Sequence, residues 1–346
     1  MNLKLVTHHL PLLMRRRRLV PKLVRNYKRL LVDKKPVLRT VDFATTSKCM
    51  CKCEHCYAEP MAEPGRKSMS LAEKKSAIDQ CLALGAVAIN FVGGDPLCDR
   101  DLAELIGHIP PDEGISVITT SAAWLDDKVL GDLSDAGLSI LCVSIDDPDA
   151  ATHDTFRGYA GVFDKAVESL RLAKARGLEC VINSVLTREQ IEDGRAARLV
   201  DLAASLDAQI NLTLPIPVGR WAGREPEVLP PPVMEEWKRL RAISHVRWDG
   251  QSNWLKEGCG AAKEKISITP AGDVLACAVI MLSFGNVRDE PLGVIWERML
   301  ANAEFKKERD HCPLSEDPEF IQRVLVPIEN LGIGNPARAE DVLPAT

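Results

Sequence analysis

Residues 48–60, KCMCKCEHCYAEP, hold four cysteines within eight positions. Cys49, Cys53 and Cys56 read C-x3-C-x2-C, and Cys51 falls inside the first gap. Three thiolates on one short loop can hold three corners of a cubane iron–sulfur cluster. Such a cluster ordinarily takes four ligands, so one iron would stay open to an outside group. Zinc is the competing use. Structural zinc sites are closed tetrahedra that commonly pair two separate knuckles, and no second knuckle lies near this loop. His55 could complete a zinc site, but its place between Cys53 and Cys56 leaves it little freedom to turn inward.

A loop this crowded needs a scaffold, and the surrounding chain supplies an alternating pattern. Short apolar strands are expected at 41–46, 87–92, 115–120, 138–146, 178–186 and 208–216. Helices are expected between them at 70–85, 99–109, 124–137, 163–177 and 194–207, the first opened by a Ser70/Glu73 capping box. Strands buried on both faces and separated by helices predict an α/β fold with a parallel sheet, here a partial (β/α)6 TIM-like barrel. Ligands in such folds gather at the carboxyl ends of the strands. The cysteine loop follows the first strand directly, so it belongs at that end. Five segments are expected: a basic amphipathic arm (1–36), the partial barrel (37–220), a Pro/Gly-rich linker (221–255), a small hairpin-plus-helix region (256–325) and an irregular tail (326–346).

The loop, with Tyr57 directly after it, resembles the signature of radical S-adenosylmethionine (SAM) enzymes. Phe91-Val-Gly93-Gly94-Asp95-Pro96, at the end of the second strand, resembles that family's GGEP stretch, with Asp95 in place of the usual Glu. Val143-Ser144-Ile145-Asp146 and His153-Asp-Thr-Phe-Arg157-Gly158 resemble its fourth-strand region. The resemblance implies that Cys49, Cys53 and Cys56 hold a [4Fe-4S] cluster while Cys51 does not. It implies a SAM site at Gly93, Gly94, Asp95, Pro96, Ser121, Ser144, Asp146, Arg157 and Asn183. In it Arg157 would meet the SAM carboxylate, and Val185 or Leu186 would pack on adenine. The third strand ends in Ser121 where the family more often has Asn. The implied chemistry is reductive cleavage of SAM to methionine and a 5′-deoxyadenosyl radical, which takes a hydrogen atom from the substrate. An electron donor of flavodoxin or ferredoxin type is implied as a partner.

Three later cysteines stand apart from the barrel. Cys259 and Cys277 flank a predicted hairpin (265–280), and Cys312 follows a predicted helix at 291–308. With Gly272, Gly285-Asn-Val and Ile295-Trp296 they resemble the SPASM extension, or its shortened twitch form, and so imply an auxiliary iron–sulfur cluster. Three cysteines leave the fourth ligand open among His311, Asp310, Glu316, a barrel thiol, or an iron that meets substrate. Buried thiols or a zinc site are the plainer alternatives. Cys81, Cys142 and Cys180 read as small buried hydrophobes, and Cys98, after GGDPL, as a thiol at a strand end.

Composition narrows the setting. The 346 residues are 46% hydrophobic and 27% charged with a net charge of −5, sufficient for a normal core. Residues 1–40 carry twelve Lys or Arg and one acid, Asp33. From Val20, apolar positions Leu23, Val24, Tyr27, Leu30 and Leu31 recur at helical spacing. Such a helix either lies on an anionic membrane surface or packs on the body by its apolar stripe. No run of 18 apolar residues is present and the first residues make a poor secretory signal, so a cytoplasmic protein is expected, peripheral at most. No nucleic-acid partner is expected. Arg220, Trp221 and Arg224 read as a charged linker or as the mouth of a pocket. Substrate and net reaction (oxidation, epimerisation or crosslinking of a small molecule, lipid or peptide) stay open, as do an iron–sulfur electron carrier and a structural zinc protein.

Overall fold

A computed structural model describes residues 14, 16–61, 65–224, 229–330 and 336–343. Six parallel strands follow one another in space as they do in sequence: β1 (Thr40–Thr46), β2 (Ala88–Gly93), β3 (Ile115–Thr120), β4 (Ile140–Ser144), β5 (Glu179–Val185) and β6 (Gln209–Thr213). Sequential parallel neighbours need a crossover after each strand. Right-handed crossovers of one hand put every helix on the same face, so the sheet curls around the other.

The two faces are written in the alternation along each strand. Val41 and Phe43 of β1 join Ile78, Ile89 and Phe91 in the main core, with the Phe43 and Phe91 rings edge to face at a centroid distance of 6.2 Å. The intervening Asp42 bonds instead to Asn90 of β2, which bonds to Thr119 of β3, so the concave face is polar. The expected capping box forms: the Glu73 backbone N–H donates to Ser70 Oγ and the Ser70 backbone N–H donates to the Glu73 carboxylate.

The sheet does not stop at six strands. Segment 221–255, expected as a linker, carries a helix (Pro231–Arg241) and a short strand β7 (Val246–Arg247) parallel to β6. The Pro cluster that suggested a linker instead opens this helix, where a missing N–H costs nothing. Beyond it, β8 (Lys265–Ile268) pairs in parallel with β1, then β9 (Asp273–Leu275) and β10 (Leu282–Asn286) run antiparallel in turn. The predicted hairpin is therefore β8–β9, and β10 is a third strand that was not expected. The expected irregular tail adds β11 (Ala337–Arg338) beside β10. All eleven strands form one sheet, ordered β11-β10-β9-β8-β1-β2-β3-β4-β5-β6-β7.

The C-terminal region docks on the first strand–helix unit. Arg66 makes a two-pronged ion pair with Asp273 at 2.6 and 3.0 Å, and Arg288 reaches Glu73 at 3.0 Å. At the N-terminus, helix α1 (Val20–Leu31) packs across the start of the strands, with Leu19 and Leu23 against Ala88, Ile115 and Ile140. It does pack on the body, but not by apolar residues alone. Lys22 and Asn26 are its most buried side chains. Lys22 Nζ donates to the carbonyls of Leu82 (3.0 Å) and Glu113 (2.6 Å), and Asn26 donates to Gly85 O. The Glu113 carboxylate adds an ion pair at 3.0 Å, so three acceptors near a helix end and a turn draw the lysine inside.

Candidate active site

The cysteine loop leaves β1 at Thr46 and is gripped from three sides by backbone hydrogen bonds. From β2, Gly94 N donates to Thr46 O and Asp95 N to Lys48 O, both at 2.8 Å. A Cβ on Gly94 would stand 2.3 Å from Lys48 O, so the glycine is demanded by the loop's own backbone. From the helix Ala150–Arg157, carbonyls of Arg157 and Phe156 accept from Lys52 N and Glu54 N, each at 2.9 Å. From the segment after β6, Arg220 N donates to Cys56 O at 3.1 Å and Arg220 Nη1 to Cys53 O at 3.2 Å. Gly219 is held at positive φ with its Cα side against Cys56 O, where a Cβ would lie at 2.1 Å. Arg220 and Arg224 complete the grip through Glu59 and Glu54. These residues are a clamp on the loop, which neither reading from the sequence anticipated.

Within the clamp the thiols differ in setting. Cys49 is exposed, Cys56 half-buried, and Cys51 and Cys53 buried. The Cys51 thiol lies within hydrogen-bonding reach of Cys49, Cys53 and Ser121. It is thus among the other thiols, although the resemblance gives it no ligand role. His55 stacks on Phe156 at a centroid distance of 4.7 Å and tilts against Trp221. Burial pushes it down to about 4, so the ring is neutral at pH 7 and belongs to an aromatic packing unit.

The other expected site residues sit on the strand ends around this loop. Asp95 is buried and accepts from Thr120 Oγ1 (2.8 Å), Ser121 N (3.0 Å), Ser121 Oγ (2.6 Å) and Leu97 N (3.1 Å). Its carboxylate therefore ties the end of β2 to the end of β3, with Gly93 and Pro96 on either side. Arg157 is buried between Asp146 (2.5 Å) and Cys53 Sγ (3.6 Å). Burial works against the Asp146 charge, but the adjoining guanidinium outweighs it and holds the carboxyl below the usual carboxylate range. Asp146 also accepts from Val185 N, and its own backbone N–H donates to His153 Nδ1. Ser144 and Asn183 face each other across the β4–β5 register, so all nine residues lie on one rim.

The three later cysteines come together. Cys259, Cys277 and Cys312 line one cavity of about 60 Å³, with Lys263, Lys265, Lys307 and Arg309 on its walls and no carboxylate or histidine among its lining residues. Burial, then the neighbouring Cys259 and Cys277, pushes the Cys312 thiol up. Three of the fourth-ligand candidates have partners of their own. His311 pairs with Asp310 at 2.8 Å, and Glu316 accepts from Cys312 N at 3.2 Å. Lys265 joins the two sites: it lines this cavity and pairs at 3.1 Å with Asp42 on the concave face. Tyr57 is half-buried, and desolvation followed by the nearby Asp42 and Cys56 pushes its phenol up.

The donor sets fit iron–sulfur clusters. A single zinc ion needs its ligands converged to within about 2.3 Å of one point. A cubane spreads its thiolates over separate corners. A guanidinium against Cys53 and four cationic side chains around the second trio suit groups that carry thiolate charge. The cationic wall, the Arg220 clamp and the Asp42–Lys265 pair were not singled out from the sequence. Part of the signal for the last was present, since Asp42 interrupts an apolar strand.

Comparisons with known proteins agree with this geometry. Residues 43–200 match the radical SAM superfamily, and residues 259–316 match the SPASM iron–sulfur cluster-binding domain. The chain is 27% identical over 315 residues to an AdoMet-dependent heme synthase of Nitratidesulfovibrio vulgaris, covering 82% of this chain and 85% of that protein. It is 30% identical to a PqqA peptide cyclase of Streptomyces rochei, covering 72% and 73%. Among solved structures, SuiB of Streptococcus suis bound to precursor peptide SuiA superposes with a TM-score of 0.62 at 17% identity, covering 75% of this chain and 64% of that one. anSMEcpe with bound AdoMet and Cp18Cys peptide gives 0.60 at 18% identity, covering 86% and 99%.

Proposed function

Because the chain belongs to the radical SAM superfamily and carries a SPASM domain, we propose that it cleaves SAM at the Cys49/Cys53/Cys56 loop and abstracts hydrogen from an organic substrate on the concave face between the two thiol groups. The cofactors are a [4Fe-4S] cluster, SAM and further iron–sulfur at the C-terminal domain. When bound, the first cluster supplies the electron that splits SAM into methionine and a 5′-deoxyadenosyl radical.

The chain's own residues supply position and charge. Cys49, Cys53 and Cys56 hold the first cluster, and the clamp fixes their loop so that it does not reorganise during turnover. Gly93 to Pro96, Ser121, Ser144, Asp146, Arg157 and Asn183 frame the SAM site. The Asp95 bonds to Thr120 and Ser121 set the frame's shape. Asp42, Asn90, Thr119 and Lys265 give the substrate a polar floor, and Lys265 places a positive charge at the entrance to the second cavity. Cys259, Cys277 and Cys312 hold the auxiliary cluster, with no fourth protein ligand on the cavity wall among the described residues. A small flavodoxin- or ferredoxin-type protein would deliver the electron.

The observation that supports this reading is the backbone grip on the thiol loop by Gly94–Asp95 and Phe156–Arg157, two of the segments proposed to frame the SAM site. An electron carrier has no use for such a rim. The test is anaerobic reconstitution followed by SAM and dithionite. About eight irons, at about four per cluster, with 5′-deoxyadenosine formed are expected. Iron without 5′-deoxyadenosine, with candidate substrates of both the haem-precursor and peptide classes present, would leave an electron carrier. Zinc in place of iron would leave a structural zinc protein.

A further inference from the structure

Helix α1 is amphipathic on both of its long sides. Its inner side is committed to the barrel through Leu19, Leu23, Lys22 and Asn26. Its outer side carries Val20, Val24 and Leu31, at i, i+4 and i+11 and hence on one stripe. Met14 and Val32 are exposed beyond its two ends. Among the described residues nine large hydrophobic side chains stand exposed, and these five are among them, each 43 to 69% exposed. The concentration of five in one short segment sets this surface apart from scattered exposed apolar residues, which need no explanation.

The charges beside the stripe are mainly positive, although Arg25 pairs with Glu113 at 3.2 Å. Arg17, Arg18, Arg25, Lys28, Lys34 and Lys35 are exposed, against Asp33 as the sole acid in the first 40 residues. An apolar stripe flanked by cations is complementary to a surface with an apolar interior and anionic headgroups. A second copy of this chain would bring the same cations face to face. We infer that the outer face of α1 docks the protein on an anionic lipid bilayer, as a surface contact and not a span. No helix among the described residues is long and apolar enough to cross a membrane.

The helix covers the end of the sheet where β2, β3 and β4 begin, opposite the thiol loop. Docking would therefore leave the catalytic rim facing away from the bilayer.

The experiment uses the full-length, cluster-loaded protein and two kinds of vesicle, phosphatidylcholine alone and phosphatidylcholine with 30% phosphatidylglycerol. Cosedimentation with the anionic vesicles only is expected, reduced by 0.5 M salt. Val24→Glu with Leu31→Glu should weaken that binding at least tenfold while iron content and SAM cleavage in solution stay as in the parent. Both positions are exposed, and the iron content reports folding directly. No binding to anionic vesicles at low salt would overturn the inference. Binding that survives the double substitution would overturn it too, since the basic residues alone would then account for it. A concentration-dependent dimer that the double substitution abolishes would assign the stripe to a second copy instead.

Discussion

The two thiol groups are built by opposite means. The first trio sits on one loop of eight residues, and every grip on that loop passes through backbone atoms or arginines outside the trio. The second trio comes from three separate segments that meet only when the C-terminal region has packed, with Phe305, Leu314 and Phe320 around them. The first site is a local motif held by its neighbours. The second is a product of tertiary structure, with Cys277 and Cys312 half-buried against the main core. Removing a thiol from the first should therefore cost chemistry and spare the fold, whereas removing one from the second should cost some of both.

The largest expected effect tests the first half of that contrast. Cys53→Ala should abolish 5′-deoxyadenosine formation, by at least a thousandfold, with circular dichroism unchanged. Loss of the fold would show that the loop needs its cluster to hold together. Next is the grip itself. Gly94→Val puts side-chain atoms into Lys48 O and should destabilise by about 1–3 kcal/mol, the usual cost of overpacking, and lower iron retention in the first site. Wild-type melting and iron content would mean that the grip is dispensable. Cys277→Ala should then remove about four of about eight irons and lower the melting temperature by a few degrees, leaving SAM cleavage detectable. Full iron content would remove the auxiliary cluster from the second cavity. The smallest effect is expected at Cys51→Ala. Despite its place among the other thiols, iron and SAM cleavage should stay within about twofold of the parent, within the scatter of a near-neutral substitution. A deep loss would assign it a ligand role.

Legibility followed the same division. The strand–helix alternation and the C-x3-C-x2-C loop were readable because each is local: a period, a cap or a spacing reports itself within a few residues. The trio Cys259, Cys277 and Cys312 was visible only through resemblance, since nothing in their spacing says that they meet. The clamp at Gly219 and Arg220 was hidden for the same reason. Its partners, Cys53 and Cys56, lie more than 160 residues earlier, and a Pro/Gly-rich stretch between elements looks like a linker. Lys22 misled differently. A basic residue on an amphipathic helix is expected outside, and the carbonyls of Leu82 and Glu113 together with the Glu113 carboxylate, all distant in sequence, explain why it lies within.

One feature of the sheet bears on how the protein is made. Strand β1 has two neighbours, and the second of them, β8, contributes Ser267, which bonds to Asp42 across 225 residues of chain. A nascent chain emerging from the ribosome presents β1 with one edge unpaired until nearly four-fifths of the sequence has been translated. Contacts of such long range form late, and an open strand edge invites pairing with other chains. The thiol loop hangs from that same strand and waits for Gly219 and Arg220 before its third grip closes. The full grip on the loop thus requires the chain through Arg220, and a chain truncated before β8 is expected to aggregate rather than accumulate as an independent barrel.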